Sequence, residues 1–379
     1  MNKPAKKPGQ QPESYQPQKE IPAMKNALDF NIPFCTLSDT NFINCFAATY
    51  VFLENINVSG RRDYKCPNGN KVCVGCGGEC NDSPASKQTR YFCLFDTMCG
   101  HSSTRCRYDG ASEMQNLVGA NGIDDCGSDY TVDFLFGFAG YEYLKCTDTA
   151  KFKDEIVASI GAGKPVIAKV KSDVSGLFRV ITGHSGGKLI CPDYKNAGNP
   201  PKRAPKDEEL EVLYIIGDKA TPRYTLKDGL ERIRQVMEAN LDEKLWDGYI
   251  EKLFEHIIDP PGKLNRDAAK ACMKRLADTA VYTYNGHNFG ETFRYPSHEE
   301  LRNPALAESW EKISVPCCRI VALGHTVGFI YAKIDWPKIH PTTLSGIGDV
   351  LAATVRMYKE IDAELLEIIE EALAIYALF

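Results

Sequence analysis

Residues 176–193 read GLFRVITGHSGGKLICPD, two apolar runs around a glycine pair. LFRVITG (177–183) and KLICPD (188–193) hold the Val, Ile and Leu that suit strands. HSGG between them supplies the positive φ of a tight hairpin turn. VIAKV (166–170) before the hairpin and EVLYIIG (211–217) after it have the same character. A helix over 151–161 precedes them, capped by Asp148 or Thr149 and stopped at GAGKP. One helix followed by an antiparallel meander is an α+β pattern, not a doubly wound one.

Upstream, FNIPFCTLSDT is a loop that leads into a helix. Ser38, Asp39 and Thr40 are N-cap candidates, and Phe42, Phe46, Tyr50 and Leu53 recur at helical spacing. Residues 129–143, with TVDFLFGFAGYEY, are expected to form one buried helix. Downstream the character changes at Thr225. TLKDGLERIRQVMEAN puts Leu226, Leu230, Ile233 and Val236 or Met237 on one face, with Thr225 as cap. Amphipathic helices are expected to continue over 243–258, 265–284, about 303–333 and 341–378. The chain therefore divides into a Pro-, Gln- and Lys-rich tail expected to be disordered (1–28), an α+β domain (29–220) with a Cys-rich insert (59–106), and an all-α domain (221–379). The boundary falls at DKATPRY (218–224).

The 379 residues are too many for one comfortable core, which agrees with two domains. A net charge of −5 gives no basic footprint for nucleic acid. No uninterrupted apolar run reaches the ~18–20 residues of a membrane span. The first twenty residues have lysines but no apolar core of a secretory signal. These features lead to the expectation of a cytoplasmic protein without nucleic-acid or membrane partners. In a reducing compartment its fifteen cysteines are not a disulfide framework.

Cys66, Cys73, Cys76 and Cys80 fall within fifteen residues, with glycines at 69, 75, 77 and 78. Four thiolates, one Cys-x-x-Cys pair and glycines that let the backbone turn suit a tetrahedral structural zinc site. Cys93, Cys99, His101 and Cys106 are further candidates for that set. The same ligands suit an iron–sulfur cluster, and reduced unliganded thiols are the alternative to any metal.

Cys45 stands just inside the first helix, where unpaired N–H groups and the helix dipole favour a thiolate. Its own N–H can form half of an oxyanion hole, with Asn41 or Asn44 as side-chain donor. A nucleophilic cysteine also needs a base and an orienter for that base. Asp193 is the orienter candidate, and His184 is the only histidine in the hairpin. An ordinary buried core cysteine, a turn aspartate and a solvated histidine are the structural alternatives for these three.

DTNFINCFAATYVFLE, GKPVIAKV and GLFRVITGHSGGKLICPD together resemble the papain-like cysteine peptidase superfamily over roughly residues 30–217. The nearest branch is similar to the C39-type peptidases and the N-terminal domain of the butirosin-biosynthesis H protein, an acyltransferase. The resemblance implies a cysteine nucleophile at Cys45 and an acid at Asp193. Aligned on Gly183 and Asp193, the position of the family histidine is Leu177, and His184 stands where the family has a tyrosine. Asp39 replaces the upstream glutamine, and Phe46-Ala47 replaces the small pair after the cysteine.

In the helical part, YNGHNFGETFR (284–294) has His287 between Asn285 and Asn288 and is expected either to face the first domain or to connect two helices. His325 lies on an apolar helix and is expected in the core; Cys317-Cys318 follow Pro316 at what reads as a helix start. The last helix, apolar on one face, is expected to pack on its own domain or on a second copy in a homodimer. Two functions follow. The first is cysteine-dependent acyl transfer, as a peptidase or an acyl or aminoacyl transferase, on a peptide or small acyl/amine substrate in a cleft between the domains, with or without a carrier protein. The second is a catalytically inactive papain-like binding protein. A metal-stabilised partner protein is a third reading of the cysteine knot. Apart from structural zinc, no cofactor is expected.

Overall fold

The computed structural model describes residues 27–34, 42–57, 84–103, 128–171, 178–185, 187–192, 204–241, 267, 270, 283–294 and 296–378. The class is α+β, and the part of the chain after residue 225 is helical throughout its described elements.

Helix α1 (Phe42–Leu53) is buried on every side from Phe42 to Thr49. Such a helix sits at the centre of a fold rather than on its surface. It is covered by α2 (Pro84–Met98), by α3 (Asp129–Ala139) and by one face of a sheet. The sheet contains β1 (Tyr141–Cys146), β2 (Val166–Val170), β3 (Phe178–Ile181) and β6 (Leu210–Lys219) in the order β1-β6-β2-β3, all antiparallel. Helix α4 (Phe152–Gly161) covers the opposite face. Side chains alternate between the two faces. Ile167, Val180 and Tyr214 join the large core beneath α1, whereas Val166, Ile181 and Ile215 belong with α4. Burial on both faces explains why these strands read as continuous apolar runs.

Several expected elements shift. The strand order is not a meander, because β6 inserts between β1 and β2. The strand expected over 177–183 breaks at Thr182. Thr182 N–H donates to the Ile190 carbonyl at 2.9 Å, and Leu28 N–H donates to the Thr182 carbonyl at 2.8 Å. Residues beyond this pivot leave the sheet and form a separate hairpin of β4 (Gly183–Ser185) and β5 (Lys188–Ile190). His184, expected in the turn, is therefore a strand residue opposite Leu189.

The helix expected over 129–143 stops at Ala139. Ser128 caps its start by accepting from Thr131 N–H at 3.2 Å. Gly140 ends it in the left-handed region at φ 70°, and its N–H caps Gly137 and Phe136 carbonyls. A side chain at 140 would also meet the Ala220 carbonyl oxygen at 2.8 Å. The following residues, with Tyr141 and Tyr143 alternating against the core, continue as β1.

The segment 84–103, read from sequence as part of the Cys-rich insert, forms α2 and a 3₁₀ turn at His101–Ser103. Phe92, Cys93, Leu94, Phe95 and Met98 belong to the large core. Helices expected at 151–161, 225–240, 303–333 and 341–378 appear as α4, α5 (Leu226–Asn240), α7 (Ala307–Lys333) and α8 (Pro341–Tyr376). Thr225 caps α5 as expected, in a capping box with Asp228. The helices expected at 243–258 and over most of 265–284 lie outside the described residues, as does the N-terminal tail up to Met24 and beyond. Helix α6 (Thr283–Arg294) packs on α2 and on α7, and α7 and α8 form an antiparallel pair whose buried faces continue the same core. Pro316 lies inside α7 rather than at its start, with Cys317 buried and Cys318 exposed. His325 is exposed on α7, not in the core.

The connection at 220–224 is clamped onto α3. Ala220 N–H reaches the Gly140 carbonyl at 2.9 Å and Arg223 N–H the Gly137 carbonyl at 2.8 Å. The Arg223 guanidinium meets Asp133 at 2.7 Å, and Tyr224 Oη donates to the same carboxylate at 2.9 Å. The Arg223 hydrogen bond holds the Asp133 carboxyl below its usual range. Because the folded-state value is depressed, the contribution is full above the unfolded value near ~3.9 and lost as pH falls through the folded one. This pair is partly exposed, so Asp133→Asn should cost about 0.5–1 kcal/mol at pH 7. That difference should disappear in urea titrations run near pH 2; a difference that persists there would mean the carboxylate charge is not what stabilises the clamp.

Candidate functional site

Cys45 is the fourth residue of α1 as described and has no exposed surface. Three residues before it, the Phe42 ring lies against Phe178 of β3 at 5.4 Å and Tyr214 of β6 at 5.1 Å. One residue after it, Phe46 meets Phe95 and Phe136, each at 5.0 Å. The cysteine helix and the hairpin strand are thus neighbours, but the groups in contact are aromatic rings. Leu177, the position of the family histidine, adjoins Phe178 and is outside the described residues.

His184 is half-buried on β4, beyond the Thr182 pivot, and its strand packs on α4. It makes no hydrogen bond among the described residues. The structure does not join it to Cys45. Asn41 and Asp193, the expected oxyanion donor and orienter, fall outside the described residues, as do the proposed metal ligands Cys66, Cys73, Cys76 and Cys80. Among the described residues no group of three or more His, Cys, Asp or Glu side chains is placed to hold a metal ion.

The neighbour of Cys45, Asn44, is also fully buried, and Gln88 of α2 donates its amide to Asn44 Oδ1 at 3.5 Å. This contact is a polar link between α1 and α2.

The larger polar constellation lies where α2 and the 3₁₀ turn meet α6. Asp96 is 1% exposed, yet both of its carboxylate oxygens are occupied. His101 Nδ1 lies 2.7 Å from Oδ1, and Asn288 Nδ2 donates to Oδ2 at 3.0 Å. Cys93 Sγ donates to Asn288 Oδ1 at 3.6 Å, which fixes the amide orientation. Beside them runs a second chain of donors. Ser102 Oγ reaches Thr97 at 3.1 Å, Thr97 meets Thr292 at 3.0 Å, and Thr292 donates to the Asn288 carbonyl at 2.9 Å. Asn240 at the end of α5 donates to the Ser103 carbonyl at 2.6 Å. One polar partner on each oxygen offsets the cost of burying this side chain.

A histidine held by a buried aspartate is the base-and-orienter half of a catalytic triad. The thiol in this network, however, donates to Asn288 and not to the imidazole. Cys93 and Cys99, the further zinc-ligand candidates, lie on α2 and just after it, and Cys99 Sγ contacts the Asp96 carbonyl at 3.5 Å. The arrangement locks the first helices to α5 and α6. Residues 284–294, expected to face the first domain or to connect two helices, are themselves part of α6 and meet α2 through Asn288, while the His287 side chain is outside the described residues. Asp96 escaped the sequence reading. Its one signal is the helical spacing of Cys93, Asp96 and Thr97 within an aromatic helix.

Compared with known protein families and with curated proteins, the chain matches no family model and no curated sequence.

Asn288→Ala should leave Asp96 Oδ2 and the Cys93 thiol without their partner and destabilise the protein by about 1–3 kcal/mol. Urea denaturation of this variant, of Asp96→Asn and of the double variant would measure the coupling. Additive effects would show that the two side chains do not depend on one another.

Proposed function

We propose that this chain is a papain-like protein that holds a peptide or a small acyl- or amine-bearing ligand without turning it over. The observation that carries this reading is the setting of Cys45, which has no exposed surface and whose helix meets the hairpin strand through Phe42 and Phe178. Acyl transfer requires the sulfur to approach a carbonyl to about 3–3.5 Å, with a base within ~3 Å of the thiol. A sulfur with no exposed surface gives a substrate carbonyl no such approach. The competing reading, acyl transfer by Cys45 with Asn41, Asp193 and His184 or His287, needs a movement that opens this face of α1. The Cys-rich stretch around Cys66, Cys73, Cys76 and Cys80 is proposed to close on a structural zinc ion, which would donate folding energy rather than chemistry.

Residue-resolved alkylation by iodoacetamide, read by mass spectrometry, separates the two readings of Cys45. Cys318 is exposed and should react first. Cys191, whose thiol is pushed up to about 11 by burial, should be protected in the folded protein, and so should Cys45. Fast modification of Cys45 with a midpoint well below ~8.5 would sink the binding-only reading and restore the nucleophile. For zinc, the expected result is one ion per chain in purified protein, released on modification of the cysteines. An equal zinc content in a Cys73→Ser, Cys76→Ser variant would sink that assignment.

A further inference from the structure

Helix α7 packs with one face on α6 and α8, where Ile313, Cys317, Ile320 and Val327 are buried. Its opposite face is exposed along its length. From Glu311 the exposed positions run through Val315, Cys318, Ala322, His325 and Phe329, at intervals that alternate four and three. That alternation averages about 3.5 residues, the repeat of a coiled-coil seam, and it sets these side chains in one line on the helix surface. The line is separate from the face that α7 gives to the core. Pro316 is on the buried side, so its ring does not interrupt it. Val315 and Phe329, its large apolar members, are 62% and 65% exposed. Such exposure is unfavourable in water and marks an interaction surface.

The line is close to its own reverse. About Ala322 as centre, Cys318 and Thr326 stand four positions to either side, Val315 and Phe329 seven, and Glu311 and Lys333 eleven. The charges at its two ends are opposite in sign, and both are available. On the flank toward α8, Lys312 and Arg319 are already taken up by Glu371 at 2.9 Å and Glu364 at 2.6 Å, and Glu308 pairs with Lys312 at 3.5 Å. Glu311 and Lys333 have no ion-pair partner among the described residues, and Lys333 Nζ lies 5.6 Å above the Phe329 ring. A second α7 laid antiparallel across the first would set Phe329 of each copy on Val315 of the other, and Lys333 of each on Glu311 of the other. The two helices would cross at Ala322, whose small side chain lets the backbones approach. Such a contact is isologous and closes on itself. From Glu311 to Lys333 it is about 33 Å long.

We propose that this face of α7 is a homodimer interface in which two copies of the chain pair antiparallel about Ala322. A parallel pair would set Lys333 against Lys333 and Glu311 against Glu311, so the end charges select the antiparallel orientation. A lipid bilayer is the other occupant that an apolar helix could meet, and by length and composition alone Pro304–Lys333 is long and apolar enough to cross one. A bilayer, however, leaves the Glu311 carboxylate without a partner, whereas a second copy pairs it.

The test is analytical ultracentrifugation of the full chain over a concentration series in reducing buffer, with disulfide trapping alongside. A monomer–dimer equilibrium is expected, and Phe329→Glu should abolish the dimer. Lys333→Glu should weaken it about three- to tenfold, and Glu311→Lys added to Lys333→Glu should restore it. Thermal melts verify that each variant is folded. For the register, Ala322→Cys should cross-link to itself on mild oxidation, read by mass spectrometry as two copies of the tryptic peptide Ile320–Lys333 joined at position 322. Two Cys318 thiols would stand about 12 Å apart along the helix axes, beyond the reach of a disulfide. Alkylation of Cys318, fastest in dilute monomer, should slow as the dimer forms. A monomer throughout the series, a dimer indifferent to Phe329→Glu, charge reversal without rescue, or cross-linking through Cys318 but not position 322 would each overturn the proposal. So would a monomer that co-sediments with phosphatidylcholine vesicles, which would give this face to a bilayer.

Discussion

The rest of the structure depends on the aromatic packing around α1. Phe42 and Phe46 lie one helical turn apart, and between them they touch Phe178 and Tyr214 of the sheet, Phe95 of α2 and Phe136 of α3. Each ring buries a large apolar area, and the edge-on geometries add a directional preference. One helix thereby fixes the relative position of three neighbouring layers. Cys45, on the same helix, has no exposed surface.

The second constraint is polar. Asp96 is buried at the junction of α2, the 3₁₀ turn and α6, and its two oxygens are held by His101 and Asn288. Apolar contacts alone would let α6 slide along α2. A buried carboxylate tolerates no such slippage, because a shift of one residue would leave it unpaired. The network thus sets the register between the first helices and those that follow. The large buried cluster continues through it without a break, from Phe42 to Ala372. The 220–224 connection, clamped by Arg223 and Tyr224 to Asp133, also holds the two parts of the chain together.

Much of the local structure was legible residue by residue. Thr225 announced a capped helix, GAGKP announced a helix end, and the apolar runs at 166–170, 177–183 and 211–217 announced strands. These signals are local: a side chain and the backbone groups within a turn of it. The errors share another origin. Gly140 ends a helix within an aromatic run because its left-handed backbone meets Ala220, 80 positions away along the chain. Thr182 splits a strand because Ile190 and Leu28 take its backbone groups. Pro316 was read as a helix start because a proline is best tolerated there, but the flanking helix packs well enough on α6 and α8 to retain it. His325 shows the reverse case. It sits in an apolar stretch and yet points outward, because it lies on the exposed face of α7, opposite the buried Val327.

The sequence by itself determined the α+β class and the position of most of the described helices and strands. These follow from short-range periodicity, capping and turn chemistry, which are written into neighbouring residues. Only the tertiary structure decided the strand order, the burial of Cys45, the pairing of Asp96 with Asn288, and the exposure of His325. Each of these is set by which distant surfaces meet, and by the demand that buried polar groups be paired and apolar ones covered. No window of adjacent residues contains that information.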